Sequence, residues 1–180
     1  SGWWNLSVWS GDDIKRVLVE TKDYAGPAWR FGLSTYSFLS KNRVALRSSN
    51  GLKGEIKIIE NSSDIVSLEV PHTEITYLVG DGDNLYYIGS SPGTLPEIVR
   101  LKLDGSIKTI KKSSDIVFNK NFFSKPEQIC FQTTENDVAY ANYYPPTNPY
   151  FIGLENEKPP LLVLSHGGPT SSCTTALNLK

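Results

Sequence analysis

The chain has 180 residues, no methionine, 18 Lys and Arg against 19 Asp and Glu, and 39% hydrophobic with 21% charged residues. A formal charge of −1 excludes the basic surface that a nucleic-acid or anionic-membrane binder needs, and the composition excludes a disordered chain. The longest aliphatic run, Leu161 to Leu164, is far below the ~20 residues of a membrane span, and no apolar targeting segment opens the chain. A soluble, cytoplasmic protein is expected, and a start at Ser1 without any methionine points to a piece of something longer.

In chain order, short runs rich in Val, Ile, Tyr and Leu recur between turn clusters with almost no helical periodicity, which predicts strands and hairpins. The predicted strands are Trp3 to Trp9, Lys15 to Glu20, Tyr36 to Leu39, Arg43 to Arg47, Glu55 to Glu60, Ile65 to Val70, Ile75 to Val79, Asn84 to Gly89, Glu97 to Leu103 and Ser106 to Lys111. Ser10-Gly11, Asn50-Gly51, Asp81-Gly82 and Asp104-Gly105 each offer a glycine for a positive φ at a turn. Residues 1–124 are expected to be all-β.

The strands repeat. Ile56 to Val66 matches Ile107 to Val117 at eight of eleven positions, an offset of 51. Matching by strand role instead pairs Glu55-Ile56 with Glu97-Ile98 and Ile65-Val66 with Ile107-Lys108, an offset of 42. The value 42 keeps each strand on a strand, whereas 51 lays a third strand on a fourth. Either falls in the roughly 40 to 50 residue period of four-stranded propeller blades. A partial β-propeller of about three blades is expected, with an irregular sandwich of similar spacing as the alternative.

After Lys125 the character changes. Pro126 to Gln132 and Asp137 to Tyr144 form an alternating pair around Thr134-Glu135-Asn136, and the prolines of Tyr144 to Pro149 and of Lys158-Pro159-Pro160 break regular structure. Residues 125–160 are expected to be a linker and hairpin, and residues 161–180 the start of a different fold. Leu161-Leu162-Val163-Leu164 has no polar alternation, which suits a parallel strand covered on both faces. The glycines of Ser165-His166-Gly167-Gly168-Pro169 follow it, where backbone can approach a ligand.

His-Gly-Gly after a buried strand is the arrangement by which α/β-hydrolases supply a backbone N–H to an oxyanion hole. A tetrahedral oxyanion needs close donors, and each is worth about 3 to 4 kcal/mol in the transition state. Gly167 and Gly168 are the candidate donors, Pro169 has no N–H to give, and His166 shapes the loop or simply hydrogen-bonds.

The stretch Pro159 to Ser171, Pro-Pro-Leu-Leu-Val-Leu-Ser-His-Gly-Gly-Pro-Thr-Ser, resembles the start of the hydrolase domain in the prolyl oligopeptidase family, particularly its acylaminoacyl-peptidase and dipeptidyl-peptidase-like branch. Pro126-Glu127-Gln128-Ile129 and Tyr143-Tyr144-Pro145-Pro146 resemble the segment joining propeller to hydrolase in that family, and Ser1-Gly2-Trp3-Trp4-Asn5-Leu6 with Gly26-Pro27-Ala28-Trp29 resemble its propeller motif. The resemblance covers essentially the whole chain in the family's order. It implies a serine peptidase that hydrolyses short peptides through an acyl-enzyme, with a propeller restricting access and with no cofactor or metal. It also implies that none of the Ser-Asp-His triad is in this chain, because all three follow the His-Gly-Gly-Pro strand. His166 is then not the triad histidine, and the chain alone is expected to be inactive. The rival is a non-catalytic β-propeller binding or scaffold protein with a hydrolase remnant. Substrate preference and oligomeric state stay open.

Several motifs reduce to structure. Gly89-Ser90-Ser91-Pro92-Gly93 matches G-x-S-x-G, and Asp115 and His166 complete the order Ser, Asp, His. Pro92 cannot donate to an oxyanion, however, and the predicted strand from Glu97 stands where an elbow needs a helix, so a loop between strands is expected. Asp81-Gly82-Asp83-Asn84 begins like a calcium loop, but Pro92 stands where a bidentate Glu is required, which leaves a hairpin turn. Cys130 and Cys173 are expected to be buried or idle thiols, and the sequons at Asn5 and Asn61 chance matches. Trp3, Trp4, Trp9 and Trp29 are expected to pack between blades, and His72 to be a loop residue.

Overall fold

The computed structural model describes residues 2–40, 42–49, 51–61, 63–168 and 171–179. Ser1, Asn50, Ser62, Pro169 and Thr170, which take part in the motifs above, lie outside the described residues. Strands β1 (Ser7–Trp9) and β2 (Ile14–Arg16) form a two-stranded ribbon. Strands β3 (Tyr36–Leu39), β4 (Arg43–Ser49), β5 (Gly54–Glu60) and β6 (Asp64–Glu69) form a first four-stranded sheet. Strands β7 (Glu74–Asp81), β8 (Asn84–Ser91), β9 (Thr94–Lys102) and β10 (Ile107–Lys112) form a second. One 3₁₀ turn at Lys120–Phe122 precedes a last hairpin of β11 (Glu127–Gln132) and β12 (Val138–Tyr143). All pairings are antiparallel, and each four-stranded sheet is a simple meander. The third strands start at Gly54 and Thr94 and the fourth at Asp64 and Ile107, 40 and 43 residues apart, so the expected offset of 42 keeps strand on strand.

Period-two alternation decides which face goes where. On the first sheet Ala45, Ile56 and Ile58 face the second sheet, where Ile75, Leu78, Leu85, Tyr87, Val99 and Leu101 complete one core. The opposite face presents Leu46 and Ile59 to Leu18 and Tyr24, which follow the β1–β2 ribbon, with Leu6 and Val17 packed alongside. The order of layers is ribbon segment, first sheet, second sheet. Burying each of these side chains contributes about 1.5–3 kcal/mol, so the inter-sheet core dominates the stability of the chain.

The inner edges of the two sheets are joined by the irregularity in β7. Its pairing with β8 breaks between Thr76 and Val79, where Tyr77 takes φ +55°. That break turns the Leu78 N–H out of its own ladder to donate to the Ser34 carbonyl at 3.0 Å, while the Ser34 hydroxyl donates to the Leu78 carbonyl. The Gly80 N–H donates to Ser37 Oγ at 2.7 Å.

Four expectations need correction. Leu161–Leu164 forms no strand and stands 78–79% exposed, because no neighbouring strand offers it a ladder and no layer covers it. The tryptophans do not pack between sheets: Trp3, Trp4, Trp9 and Trp29 are 43–73% exposed, and the face available to them is filled by Leu18 and Tyr24. Both cysteines are free and exposed, so of the two alternatives, buried or idle, burial is the one that fails. The first two predicted strands are real but only three residues long, since Asn5 and Glu20 bond each other outside the ladder, the Glu20 N–H to Asn5 Oδ1 at 2.8 Å and Asn5 Nδ2 to the Glu20 carbonyl at 3.0 Å. No helix of the described residues is long and apolar enough to cross a membrane.

Candidate functional site

His166, Gly167 and Gly168 lie in the extended, exposed stretch that follows β12. Gly168 has φ +70°, a conformation that strains any side chain, and a Cβ built on either glycine meets nothing within 4 Å. The space beside both α-carbons is open, and both residues are exposed. His166 Nδ1 approaches the Gly167 carbonyl at 3.4 Å, a local contact that leaves the ring exposed.

The chain does not trail away after these glycines. Thr175, 2% exposed, donates its hydroxyl to the Gly51 carbonyl and lies 3.1 Å from the Thr73 hydroxyl. Two residues on, the Leu177 N–H donates to the Ser91 carbonyl at 2.9 Å. Gly51 belongs to the β4–β5 turn, Thr73 to the β6–β7 connection, and Ser91 is the last residue of β8 before the β8–β9 turn, so the segment crosses one end of both sheets.

Beneath Thr73 lies a buried polar chain. His72 Nδ1 is 3.0 Å from the Tyr87 hydroxyl and His72 Nε2 is 3.1 Å from Glu97 Oε1, which also accepts from the Thr109 hydroxyl at 3.1 Å. Burial, with the nearby Glu97 charge, pushes the Tyr87 phenol well above its ordinary pKa, so Tyr87 stays neutral. The imidazole fills the space over Gly89, where an added Cβ would come within 2.5 Å of the ring. His72 is in a connection, as expected, yet it is 4% exposed and fully partnered, which sequence reasoning missed. A signal was present: Gly89 sits inside a strand directly opposite Glu97, and such a glycine marks a close approach.

A second cluster ties the ribbon segment to the first sheet. Lys57 Nζ pairs with Glu20, whose other carboxylate oxygen accepts from the Tyr24 hydroxyl at 2.7 Å. Lys22 pairs with Glu55 at 2.8 Å. The hydrogen bond from Lys57, then that from Tyr24, holds the Glu20 carboxyl below its ordinary pKa. Burial and the bond to Glu20 push the Tyr24 phenol up to about 12. These groups neutralise one another, and the arrangement is structural.

The Ser-Asp-His decoy is not assembled. Ser91 ends β8, β9 begins three residues later instead of a helix, and Asp115 is exposed beyond β10. Among the described residues no hydrogen bond joins any two of Ser91, Asp115 and His166. Asp83 of the calcium-like motif pairs with Arg43 at 2.7 Å beside the hairpin glycine Gly82, φ +59°.

No family model matches the chain, and no curated protein matches it by sequence. Among solved structures, a puromycin-hydrolysing peptidase of Mycobacterium tuberculosis is similar over 98% of this chain, at 28% identity and a TM-score of 0.88. A puromycin hydrolase is similar over 98% of the chain at 26% identity and a TM-score of 0.86. A prolyl endopeptidase shares the fold over 71% of the chain at 16% identity and a TM-score of 0.52. The chain spans 28% and 27% of the two puromycin-hydrolysing proteins and 18% of the endopeptidase. The structural neighbours of this chain over 98% of its length are thus puromycin hydrolase and related prolyl oligopeptidase-family peptidases.

Proposed function

We propose that this chain is part of a cytoplasmic serine-type oligopeptidase that cleaves short peptides through an acyl-enzyme. In this reading residues 1–124 are about three blades of a propeller that gates access, residues 125–160 lead into the hydrolase domain, and residues 161–180 carry its oxyanion loop and the segment that becomes its first strand only where neighbouring strands of the whole protein offer a ladder. The observation that carries the reading is the end-to-end likeness to two puromycin-hydrolysing peptidases, at 26–28% identity, in a chain that bears His166-Gly167-Gly168.

The chemistry assigned to this chain is electrostatic. Attack on an amide carbonyl places negative charge on its oxygen, and the N–H groups of the exposed Gly167 and Gly168 are the donors for it. His166 adds a local contact with the Gly167 carbonyl. Nucleophile, base and acid have to come from sequence beyond these residues, and the 180-residue chain alone should not turn over substrate.

The test is to express the reading frame that contains this segment, label it with a fluorophosphonate, and assay hydrolysis of puromycin and of short peptide anilides. Labelling at a serine downstream of residue 180, with amide hydrolysis, is the expected result. A frame that ends soon after residue 180 and binds ligands without labelling would establish the scaffold reading instead. Labelling of this chain at Ser91 would overturn the assignment of sites.

A further inference from the structure

We propose that Thr175 is a positioning residue: it clasps the segment that follows the oxyanion loop to one end of both sheets, and so confines Gly167 and Gly168 to that end. The proposal rests on the reading of those glycines as oxyanion donors. Its own evidence is separate. A buried threonine hydroxyl bonded to the turn of one sheet and to the connection between the two is an anchor with a defined address. The Leu177 N–H on the Ser91 carbonyl adds a third point, on the second sheet. One short segment therefore fastens the β4–β5 turn, the β6–β7 connection and the end of β8 together. The opposite ends of the sheets carry the Gly82 and Gly105 turns.

The consequence for the glycines follows from chain statistics. On the other side, the nearest tertiary contact among the described residues is the edge-to-face packing of Tyr150 on Phe122, 18 residues before Gly168, whereas Thr175 is seven residues after it. Random-coil statistics give roughly 15 Å for seven residues and roughly 23 Å for 18, so the clasp reduces the volume open to the loop. Thr175 acts through the loop and touches no reacting atom.

The test uses the 180-residue chain. In the unmodified protein the Leu177 amide should exchange at least ~10-fold slower than in an unstructured peptide. A nitroxide on Cys173, in a Cys130→Ser background, should broaden Gly51 and Gly93 but not Gly82 or Gly105. Thr175→Val, which keeps the shape and removes the hydroxyl, should bring Leu177 to within about twofold of the unstructured rate and narrow the Gly167 and Gly168 resonances as the loop is released. Thr175→Ser should restore both. Unprotected Leu177 in the unmodified chain, or full protection in Thr175→Val, overturns the clasp. Release of Leu177 with no change at Gly167 and Gly168 overturns the positioning role. If Thr175→Val also loses protection at Val99 and Leu101, the labelling pattern of the unmodified chain decides alone. None of these readouts needs a nucleophile, so failure of the peptidase reading would leave them untouched.

Discussion

Residues 35–112 and residues 145–168 put strand-forming sequence to opposite ends. Ile56, Ile75 and Leu101 are completely buried, whereas Leu161 to Leu164, the most continuous aliphatic run of the chain, stands 78–79% exposed. Ile56 lies on β5, which has β4 and β6 hydrogen-bonded on its two sides and the second sheet against one face. The aliphatic run has neither ladder nor cover. Burial is thus set by the available partner edges and layers more than by the hydrophobicity of a run, which only states how much free energy is to be gained once a partner is found.

The largest effect expected from this contrast is a core truncation. Leu101→Ala should lower unfolding free energy by about 2–5 kcal/mol, read as a shift of the urea midpoint at constant slope. Leu162→Ala removes the same atoms from a residue already in water and should stay within about 0.5 kcal/mol of the unmodified chain. Equal losses in the two variants would break the comparison, because they would mean that residues 161–164 are covered in solution.

Gly89→Ala probes the polar side of the same interior. The added methyl would lie within 2.5 Å of the His72 ring, and a buried ring held at both nitrogens has little room to move, so a loss of about 1–3 kcal/mol is expected. His72→Ala removes the obstruction, and the double variant should be less destabilised than the sum of the singles. Additive losses would show that something other than the ring crowds Gly89.

The paired sheets were legible in the sequence because their signals are local. Alternating Val, Ile and Tyr, with glycine turns such as Asp81-Gly82 and Asp104-Gly105, specify a hairpin whatever the rest of the chain does. His166-Gly167-Gly168 is likewise a local pattern, which is why a sequence can offer it as a candidate at all. What was not legible depends on partners remote in sequence. Thr175 meets Gly51 and Thr73, 124 and 102 residues away, and its flanking residues form no pattern that announces an anchor. His72 meets Tyr87 and Glu97 across two strands, and only Gly89 hinted at it. The same blindness misplaced the tryptophans and the aliphatic run, since periodicity tells which residues want cover and is silent on whether cover exists.

Glu20→Gln should have a smaller effect, about 1–2 kcal/mol at neutral pH, because the carboxylate is partly in water while its partner Lys57 is not. Its pH dependence is more telling. A carboxyl held below its ordinary pKa by Lys57 and Tyr24 contributes stability that is complete above the unfolded pKa and is lost as pH falls through the lower folded value. The unmodified chain should lose stability as pH falls below the ordinary glutamate range, and Glu20→Gln should flatten that loss, leaving the share due to Glu55, which burial pushes up but the bond from Lys22 and the charges of Lys57 and Lys22 hold low on balance. An unchanged acid profile would mean that the ribbon segment is not docked on the first sheet.

The smallest effect belongs to the rim. Arg43 reaches from the first sheet to Asp83 in the β7–β8 turn at 2.7 Å, an ion pair that joins the two sheets directly. Asp83 is 71% exposed, and Arg43 also donates from Nε to the Ser40 carbonyl at 3.1 Å, so losing the aspartate leaves the guanidinium neither buried nor bare. Asp83→Ala should therefore cost about 0.2–1 kcal/mol at low salt and close to nothing at ~1 M salt, where charges at a surface are screened within a few ångströms. Leu101→Ala should keep its full penalty under the same conditions, since screening does not act on apolar contact. If salt weakens the unmodified chain as much as a core truncation does, the sheets are held by charge at their edge, and the apolar layer between them is not the source of the contrast with residues 145–168.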